Sequence, residues 1–326
     1  MSQLQAPSRY SYQRHQTSDS DEHAAALGEW DQTYDQLSPG LFEGKVVDIW
    51  FEGLQLFRET TNRSVSQAGT TWKGSYVVGI PVNMKGSGLF AKQVLTQDSI
   101  LTFHSDKDFT LTTPENFDVV ALAIPEKTLI EALQPRSNDE LGKLFPSSPS
   151  VLVTSPGQLD ELRNCLLSIF DPNNFDPELL AYPQVQKAMS SAIIGHLAEV
   201  LGAASEAPPP TRSFKGRYQV VRDATDYALS HTTEPITVSD LCVKLNISRR
   251  MLNYCFMEVL NTNPVQYLRT LRLNGVRREL RDSMASAQAI RDIACKWGFW
   301  HLSRFAGEYR ALFGELPSET QRGLRP

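Results

Sequence analysis

Thr237–Leu260, TVSDLCVKLNISRRMLNYCFMEVL, and Ile290–Gly314, IRDIACKWGFWHLSRFAGEYRALFG, are the stretches that decide how the carboxy-terminal part of this chain folds. Each contains a short helix with one apolar face, a tight turn and a longer second helix. Ser248 is placed to cap the longer helix of the first stretch, because its hydroxyl can accept a hydrogen bond from a backbone amide. Gly298 suits the turn of the second, because glycine adopts the left-handed conformation that ends a helix at little cost. The sequence therefore predicts two helix-turn-helix units.

A basic helix is expected to connect the two units. It begins at Pro264, which suits the first turn of a helix because its missing N–H costs no hydrogen bond there. Its arginines are Arg269, Arg272, Arg277, Arg278 and Arg281. A helix fits the major groove of DNA, and successive faces of that groove recur about 34 Å apart along the duplex. Two exposed helices held by one connecting helix therefore suit a protein that reads consecutive turns of DNA, with the arginines neutralising phosphates.

A set of spaced residues runs from the connecting helix to the end of the second unit. It consists of Arg272-Leu273-Asn274-Gly275-Val276-Arg277-Arg278, Ile293-Ala294, Trp297-Gly298-Phe299, Phe305, Tyr309, Phe313-Gly314 and Pro317. These residues resemble the signature of the AraC/XylS family of bacterial transcription regulators, over roughly the last hundred residues. The resemblance implies a sequence-specific regulator that binds double-stranded promoter DNA and works with RNA polymerase.

Helical periodicity and the resemblance together indicate which side chains face DNA. Arg250, Asn253 and Tyr254 in the first unit and Leu302 and Ser303 in the second match family positions that face bases, while Arg249 points outward beside the first set and His301 and Arg304 lie beside the second. In the major groove Arg pairs with guanine and Asn with adenine. Gly307 departs from the family pattern, in which many members have a long polar side chain there. The second unit is therefore expected to contribute more to phosphate binding than to reading bases.

The net charge differs between the two parts of the chain. Residues 1–211 contain 14 Lys and Arg against 26 Asp and Glu, whereas residues 212–326 contain 18 against 11. A basic end on an acidic body is expected when one domain binds nucleic acid. The four cysteines form no Cys-x-x-Cys pair, no apolar run is long enough for a membrane span, and the amino terminus lacks a signal pattern. These features favour a cytoplasmic protein that does not associate with a membrane.

The front part of the chain is predicted to be rich in β-strands. Residues 1–22 are polar, which predicts a disordered tail, and a helix is predicted over His23–Leu37. Short runs containing Val, Ile, Phe and Trp follow between residues 41 and 124, separated by Gly, Asn, Asp or Pro. They predict a small barrel or a folded two-layer sheet. The expected fold class is therefore α+β, with a β-rich front domain, flanking helices and an all-α carboxy-terminal domain.

Two amphipathic helices are expected after the strands. Their apolar stripes are Leu159, Leu162, Leu166 and Ile169 in one, and Ala188, Met189, Ala192, Ile193, Leu197 and Val200 in the other. Such stripes can cover the sheet or pair with a second copy of the chain, and a homodimer is predicted. Ala207-Pro208-Pro209-Pro210 indicates a semi-rigid linker. The predicted domains are a tail over 1–22, a ligand-sensing and dimerisation domain over 23–201, a linker over 202–213, and a DNA-binding domain over 214–326 with units at about 237–260 and 289–314.

The front domain shows no pattern of an enzyme or a metal site. Only His104 of the six histidines lies in the β-rich region, and no Gly-x-Ser-x-Gly turn or phosphate-binding glycine loop is present. A concave sheet can still hold a small molecule. Possible lining residues, which can equally be core, are Trp50, Trp72, Tyr76, Phe90 and Phe103, with Glu52, Asp98 or Glu115 as partners for a cation. The alternative function is a small-molecule-binding or enzymatic β-domain whose helical tail binds protein.

A second resemblance spans most of the chain from about residue 24. It rests on Ala25–Gly40, Leu56–Glu59, Gly79–Pro81 and Trp297–Leu302. These stretches are similar to the branch of the AraC family that regulates ethanolamine utilisation operons. The similarity implies an activator controlled by a small molecule, with ethanolamine and adenosylcobalamin as effectors. No residue is assigned to effector binding.

Overall fold

The described part of the chain divides into a β-rich unit and a helical unit. The computed structural model describes residues 10–133, 148–207, 212–231, 236–282 and 290–323. The first unit comprises residues 1–34 and 43–209, and the second comprises residues 35–42 and 210–326. The predicted α+β class is confirmed. None of the described helices has the length and hydropathy needed to cross a bilayer.

The strands of the β-rich unit form two antiparallel sheets. They are β1 (Ser11–Thr17), β2 (Asp31–Gln36), β3 (Gly44–Phe51), β4 (Leu54–Thr61), β5 (Val65–Thr70), β6 (Ser75–Asn83), β7 (Gly88–Phe90), β8 (Gln93–Leu95), β9 (Ser99–His104), β10 (Phe109–Thr112), β11 (Phe117–Pro125), β12 (Ser150–Val153) and β13 (Ser205–Glu206). One sheet has the order β1-β3-β4-β11-β6-β9-β12-β13 and the other has the order β2-β5-β10-β7-β8. Since the end strands of neither order pair with each other in the described chain, the two-layer alternative holds rather than the barrel.

The larger sheet is buried on both faces. Alternate side chains of a strand point to opposite faces, and in β11 Val119 and Ala123 belong to an aromatic-rich core while Val120 and Leu122 belong to a core shared with helices. The aromatic-rich core lies between the two sheets and contains Trp50, Trp72, Phe90, Phe103 and Phe109. Burial on both faces explains why β11 is apolar from Val119 to Pro125.

Helices cover the other face of the larger sheet. Those of this unit are α1 (Ser20–Ala25), α2 (Glu126–Leu133), α3 (Pro156–Phe170), a 3-10 turn (Pro177–Ala181) and α4 (Pro183–Ala203). The core shared with the helices buries the stripe from Leu159 to Ile169 on α3. It also buries Ile193, Leu197 and Val200 of α4. The stripe on α3 therefore covers the sheet, and the stripe on α4 does so from Ile193 onward, whereas Ala188 and Ala192 are exposed. The homodimer stays a prediction. Of the predicted linker, residues 202–207 end α4 and form β13, and residues 208–211 lie outside the described residues.

The structure corrects the predictions for the amino-terminal residues. A disordered tail over 1–22 is wrong from Ser11 onward, because Ser11–Thr17 pairs with β3 as an edge strand whose backbone needs few apolar side chains. Residues 1–9 lie outside the described part. The helix predicted over His23–Leu37 is also wrong. Asp19 caps the short α1, and the residues after Trp30 form β2, in which burial alternates with period two and buries Tyr34 and Gln36.

The helical unit has two cores that share one helix. Its helices are α5 (Arg212–Ser230), α6 (Val238–Leu245), α7 (Arg249–Leu260), α8 (Pro264–Asp282), α9 (Ile290–Lys296), α10 (Leu302–Phe313) and α11 (Pro317–Arg322). Leu268 and Leu271 of α8 pack with α5, α6 and α7, whereas Leu273 and Val276 pack with α9 and α10. Hence α8 is the structural link between the two helix-turn-helix units.

Residues 35–42, which we call the strap, pack into the helical unit although they precede it by more than 160 residues. The backbone N–H of Gln36 donates to Asn274 Oδ1 at 3.0 Å, and Asn274 Nδ2 donates to the Gln36 carbonyl at 3.0 Å. The Gln36 side chain donates to the Leu312 carbonyl at 2.6 Å, and the Gly40 N–H donates to the same carbonyl at 3.0 Å. The strap thereby ties α8 to the carboxy-terminal end of α10. The sequence places residues 35–42 in the predicted domain over 23–201, and the structure corrects this by placing them in the helical unit.

Candidate nucleic-acid interface

The first helix-turn-helix unit consists of α6 and α7. Thr237 and Asp240 form a reciprocal capping box at the start of α6, and the turn passes through Asn246 in the left-handed conformation at φ 51°. The Ser248 hydroxyl accepts a hydrogen bond from the Met251 N–H at 3.2 Å. Because both helix ends have their backbone groups satisfied, the start of α7 is fixed as the sequence predicts.

The helix α7 separates an apolar face from an exposed polar face. Leu252, Cys255 and Phe256 are buried in the first core. The predicted DNA-facing residues Arg249, Arg250, Asn253 and Tyr254 are all exposed. Positions i, i+3 and i+4 of a helix lie on one face, so the structure brings Arg250, Asn253 and Tyr254 together.

Tyr254 is held by a residue that sequence reasoning missed. The guanidinium of Arg217, on α5, lies over the Tyr254 ring at 5.3 Å and also bonds Glu258 Oε1 at 2.7 Å. A hydrogen bond with Glu258 raises the pKa of Tyr254 above its usual value. Arg217 lies 37 residues before Tyr254 in the chain, and no motif in the sequence indicates the contact.

The second helix-turn-helix unit consists of α9 and α10. Gly298 adopts φ 80° at the turn, as predicted. His301 caps α10 by accepting the Arg304 N–H at its Nδ1 atom, at 3.4 Å. The buried face contains Phe305, Tyr309 and Phe313. The predicted DNA-facing residues His301, Leu302, Ser303 and Arg304 are all exposed at the start of α10.

Close packing with α8 fixes the position of the second turn. A Cβ added to Gly275 would lie 2.1 Å from the Trp297 ring, so only glycine permits this approach. The Trp297 indole N–H donates to Glu279 Oε2 at 2.8 Å. The glycine and the tryptophan of the family signature therefore have one structural purpose, which is to hold α9 against α8.

The predicted phosphate-binding role of the α8 arginines needs correction. Arg277 is 5% exposed, its Nη1 lies 2.8 Å from Glu315 Oε1, and its guanidinium lies over the Phe313 ring at 4.6 Å. Arg269 pairs with Glu308 at 2.6 Å. The prediction is wrong for Arg277, because its guanidinium is buried against other helices and cannot reach a phosphate.

Two further arginines of α8 also make contacts within the unit. Arg278 pairs with Asp35 of the strap at 2.5 Å. Burial lowers the pKa of Arg272, whose guanidinium lies 6.0 Å from the centre of the Phe299 ring. Arg269, Arg277 and Arg278 of α8 therefore fasten helices and the strap, whereas the predicted DNA-facing arginines Arg249, Arg250 and Arg304 are exposed.

The residues that the sequence offers as the lining of a small-molecule pocket lie in different places in the β-rich unit. Trp50, Trp72, Phe90 and Phe103 lie in the core between the sheets, which is one of the two predicted alternatives, whereas Tyr76 lies outside it and makes an edge contact with His104, with ring centroids 4.7 Å apart. Glu52, Asp98 and Glu115 are exposed, so the predicted partners for a cation are wrong.

Asp48 is a buried acid that sequence reasoning missed, and it lies with Gln55 among these aromatic rings. Asp48 accepts the Trp50 indole N–H at 3.0 Å and the Gln55 amide at 2.9 Å, and Gln55 Oε1 accepts the Trp30 indole N–H at 2.9 Å. The signal that could have found Asp48 is a single carboxylate in the apolar strand β3. In the described chain no group of His, Cys, Asp and Glu is arranged to hold a metal ion.

Comparison with known proteins identifies the helical unit. Residues 241–323 match the model of a family described as a helix-turn-helix domain. The chain is 28% identical over 294 residues to a probable thc operon regulatory protein of Rhodococcus erythropolis, which covers 86% of each chain. It is 31% identical over 165 residues to a XylDLEGF operon transcriptional activator of Pseudomonas putida, which covers 51% of this chain and about half, 49%, of that relative.

A solved structure, a probable AraC family transcriptional regulator from Rhodopseudomonas palustris, is 31% identical at a TM-score of 0.31, and the match covers 33% of this chain and 99% of that one. The two relatives are named as a probable operon regulatory protein and an operon transcriptional activator. Both helix-turn-helix units lie within or directly against the matched domain, and their exposed faces carry the residues expected to meet a groove. Residues 241–323 thus match a helix-turn-helix domain family, and the chain as a whole is similar to transcription regulators of the AraC type.

Proposed function

We propose that the protein is a sequence-specific activator that binds its promoter through α7 and α10 and is controlled by a small organic cation. The observation that carries the DNA part is the exposed face of α7, on which Arg250, Asn253 and Tyr254 lie within one turn while the opposite face is buried. A guanidinium and a carboxamide on one helical face match the acceptor and donor edges of guanine and adenine. The second unit adds contacts through His301 and Ser303.

The DNA part is tested by Arg250→Ala in the full-length protein. We expect binding to the operator, obtained by selection from random duplexes, to weaken by about 1–3 kcal/mol, because a bidentate base contact is lost. Binding to a scrambled duplex should change much less. Fluorescence anisotropy at fixed salt measures both. Arg291→Ala, which removes a 71% exposed arginine on α9, is the matched control.

Two outcomes would contradict this proposal. An equal loss on operator and scrambled DNA would reduce Arg250 to a phosphate contact. An absence of DNA binding even at low salt, where phosphate contacts are strongest, would favour the alternative in which the helical tail binds protein.

Activation and assembly are proposals that rest on relatives and on resemblance. The Pseudomonas putida relatives are named transcriptional activators, and we propose the same role here, with RNA polymerase as partner. Transcription in vitro from the selected operator should rise when the protein is added, and a fall would indicate repression. The homodimer and the location in the cytoplasm stay predictions. Sedimentation velocity of the full-length protein tests whether it is a dimer.

The proposal of a cationic effector rests on Asp48. Its carboxylate is 5% exposed among Trp50, Trp72 and Gln55, and burial raises its pKa above the usual value. Its hydrogen-bond donors, the Trp50 indole and the Gln55 amide, are both neutral, and the electrostatic influence of His15 on its pKa is smaller than that of burial. A buried carboxylate that lacks a cation is costly unless it is protonated or gains a partner. A ligand with an ammonium group would supply that partner beside aromatic rings, which also attract cations.

A thermal-shift panel of small amines and cobalamins tests the effector. Ethanolamine carries an ammonium group at neutral pH, so it fits Asp48, and adenosylcobalamin remains an effector implied by resemblance alone. A ligand that binds the folded state raises its melting temperature. We expect Asp48→Asn to abolish the shift with an amine, while Glu52→Gln, at an exposed acid nearby in sequence, retains it. An unchanged shift in Asp48→Asn would contradict the role of Asp48.

A further inference from the structure

The second recognition helix begins with two exposed apolar side chains. Trp300 is 85% exposed and Leu302 is 38% exposed. They flank His301, the residue that caps α10, and the rings of Trp300 and His301 lie 5.6 Å apart. Single apolar residues on a surface are ordinary. Here a tryptophan and a leucine occur together at the end of the helix that is expected to enter the groove.

Beyond His301 and Ser303, the first two turns of α10 offer few groups for reading bases through hydrogen bonds. Gly307 is exposed, and a Cβ built there meets no described atom within 4 Å. The Arg304 Nε atom is bound by Glu308 at 2.9 Å within the same helix. The apolar pair Trp300 and Leu302 is therefore the largest chemical feature that the start of α10 presents to solvent.

The major groove contains one apolar group that such a pair fits. Thymine presents its C5 methyl group there, and side chains that contact this methyl are apolar. The surroundings suit DNA, because the first turn of α10 carries Arg304 and no acidic residue, and the amino-terminal end of a helix attracts phosphates. An acidic or purely apolar rim would instead suit a protein partner.

We propose that Trp300 and Leu302 read thymine through its C5 methyl group in the half-site of the second unit. The proposal rests on the proposed function of α10 as a recognition helix. The second unit would then recognise DNA differently from α7. Apolar contact by Trp300 and Leu302 would take the place of the long polar side chain that is absent at Gly307.

The test replaces each thymine of the selected operator by deoxyuridine, which removes the methyl and keeps every hydrogen-bonding group. Full-length protein is titrated on each probe by fluorescence anisotropy. We expect at least one position at which the wild-type protein binds about fourfold more weakly, as removal of one buried methyl predicts. Trp300→Ala should bind the two probes at that position equally, and Trp300→Phe should retain part of the difference.

Val243→Ala is the matched control, because Val243 is 82% exposed on α6 in the first unit and is likewise apolar. It should discriminate the probes as the wild type does. Melting temperatures of all variants establish that they fold, which the exposure of Trp300 leads us to expect.

Three results would overturn the proposal. Equal binding of all thymine and deoxyuridine probes by the wild type is one, and full discrimination by Trp300→Ala is another. The third is a loss of transcription in Trp300→Ala with unchanged DNA affinity, which would assign the pair to a protein partner. Failure to select any DNA sequence would overturn the proposed function itself, so the two failures are distinguishable.

Discussion

The two helix-turn-helix units have the same backbone plan but different exposed chemistry. At the start of its second helix the first unit presents Arg250 and Asn253, whereas the second presents Trp300 and Leu302. Both helices bury one apolar stripe and begin at a capping residue. The comparison teaches that capping and the buried stripe determine the fold of each unit, and that neither constrains the chemistry of the exposed face.

The two units also differ in how they are fastened. The exposed face of α7 is supported by Arg217 of α5, through contacts at the protein surface. The second unit is held by the buried pair of Arg277 with Glu315 and by the strap on α10. Removing one member of a buried ion pair is costly, because the other charge is left buried without a partner. Substitutions of these contacts in the second unit should therefore lower the free energy of unfolding more than substitutions at the surface of the first unit.

The largest effect is expected for Arg277→Met. The substitution leaves the Glu315 carboxylate buried without its cation, and we expect the opening free energy of α10 to fall by about 3–5 kcal/mol. Hydrogen exchange measured by mass spectrometry over α10 reports this local opening. Arg291→Met, at an exposed arginine of α9, should change it by less than about 0.5 kcal/mol. A similarly small change for Arg277→Met would mean that the buried pair does not stabilise the second unit.

A smaller loss is expected for Asn274→Leu. It leaves the backbone N–H and carbonyl of Gln36 without the partners they have at 3.0 Å, and each buried polar group left unsatisfied costs about 1–3 kcal/mol. We therefore expect α8 and the strap to open more easily by about 2–3 kcal/mol. Exchange of the Gln36 amide is the measurement. Gln266→Leu, at an exposed position of α8, is the control, and equal protection of Gln36 in both variants would show that the strap is held by other contacts.

The smallest effect is expected for Gly307→Ala, which should stabilise α10 by about 0.5–1 kcal/mol because alanine favours the helix and its Cβ meets no described atom. Gly275→Ala is the contrasting control. There the same change places a Cβ against the Trp297 ring and should destabilise the unit by about 1–3 kcal/mol. Hydrogen exchange over α8 and α10 compares the two. The same sign for both substitutions would contradict the packing described for Gly275.

Much of the helical unit could be predicted because its signals are local in sequence. Ser248, Pro264 and Gly298 each determine a helix end through their own backbone chemistry, and all three stand where the spacing predicts. The exposure of the predicted DNA-facing residues follows from the same periodicity. Which bases they contact does not, because the sequence contains no information about the operator.

The parts that sequence reasoning missed depend on residues far apart in the chain. Arg277 looks like an exposed cation until Glu315 and Phe313 are brought against it. Gln36 has no local property that predicts its bonds with Asn274. The edge strand β1 was mistaken for a tail, because a strand paired on one side gains its stability from β3 rather than from its own apolar residues. In each case the cause is a tertiary contact that a periodic pattern does not contain.

The strap has a consequence for how this protein can be recombined with its relatives. The coding sequence for the helical unit is in two pieces, because residues 35–42 belong to it as well as the residues from 210 onward. A chimera made by exchanging only the last third of the chain inherits Asn274 from one parent and its backbone partner from the other. A chimera should therefore keep the DNA specificity of a parent only when residues 35–42 and the residues from 210 onward both come from that parent. A crossover point between them divides a single folded unit between two parents.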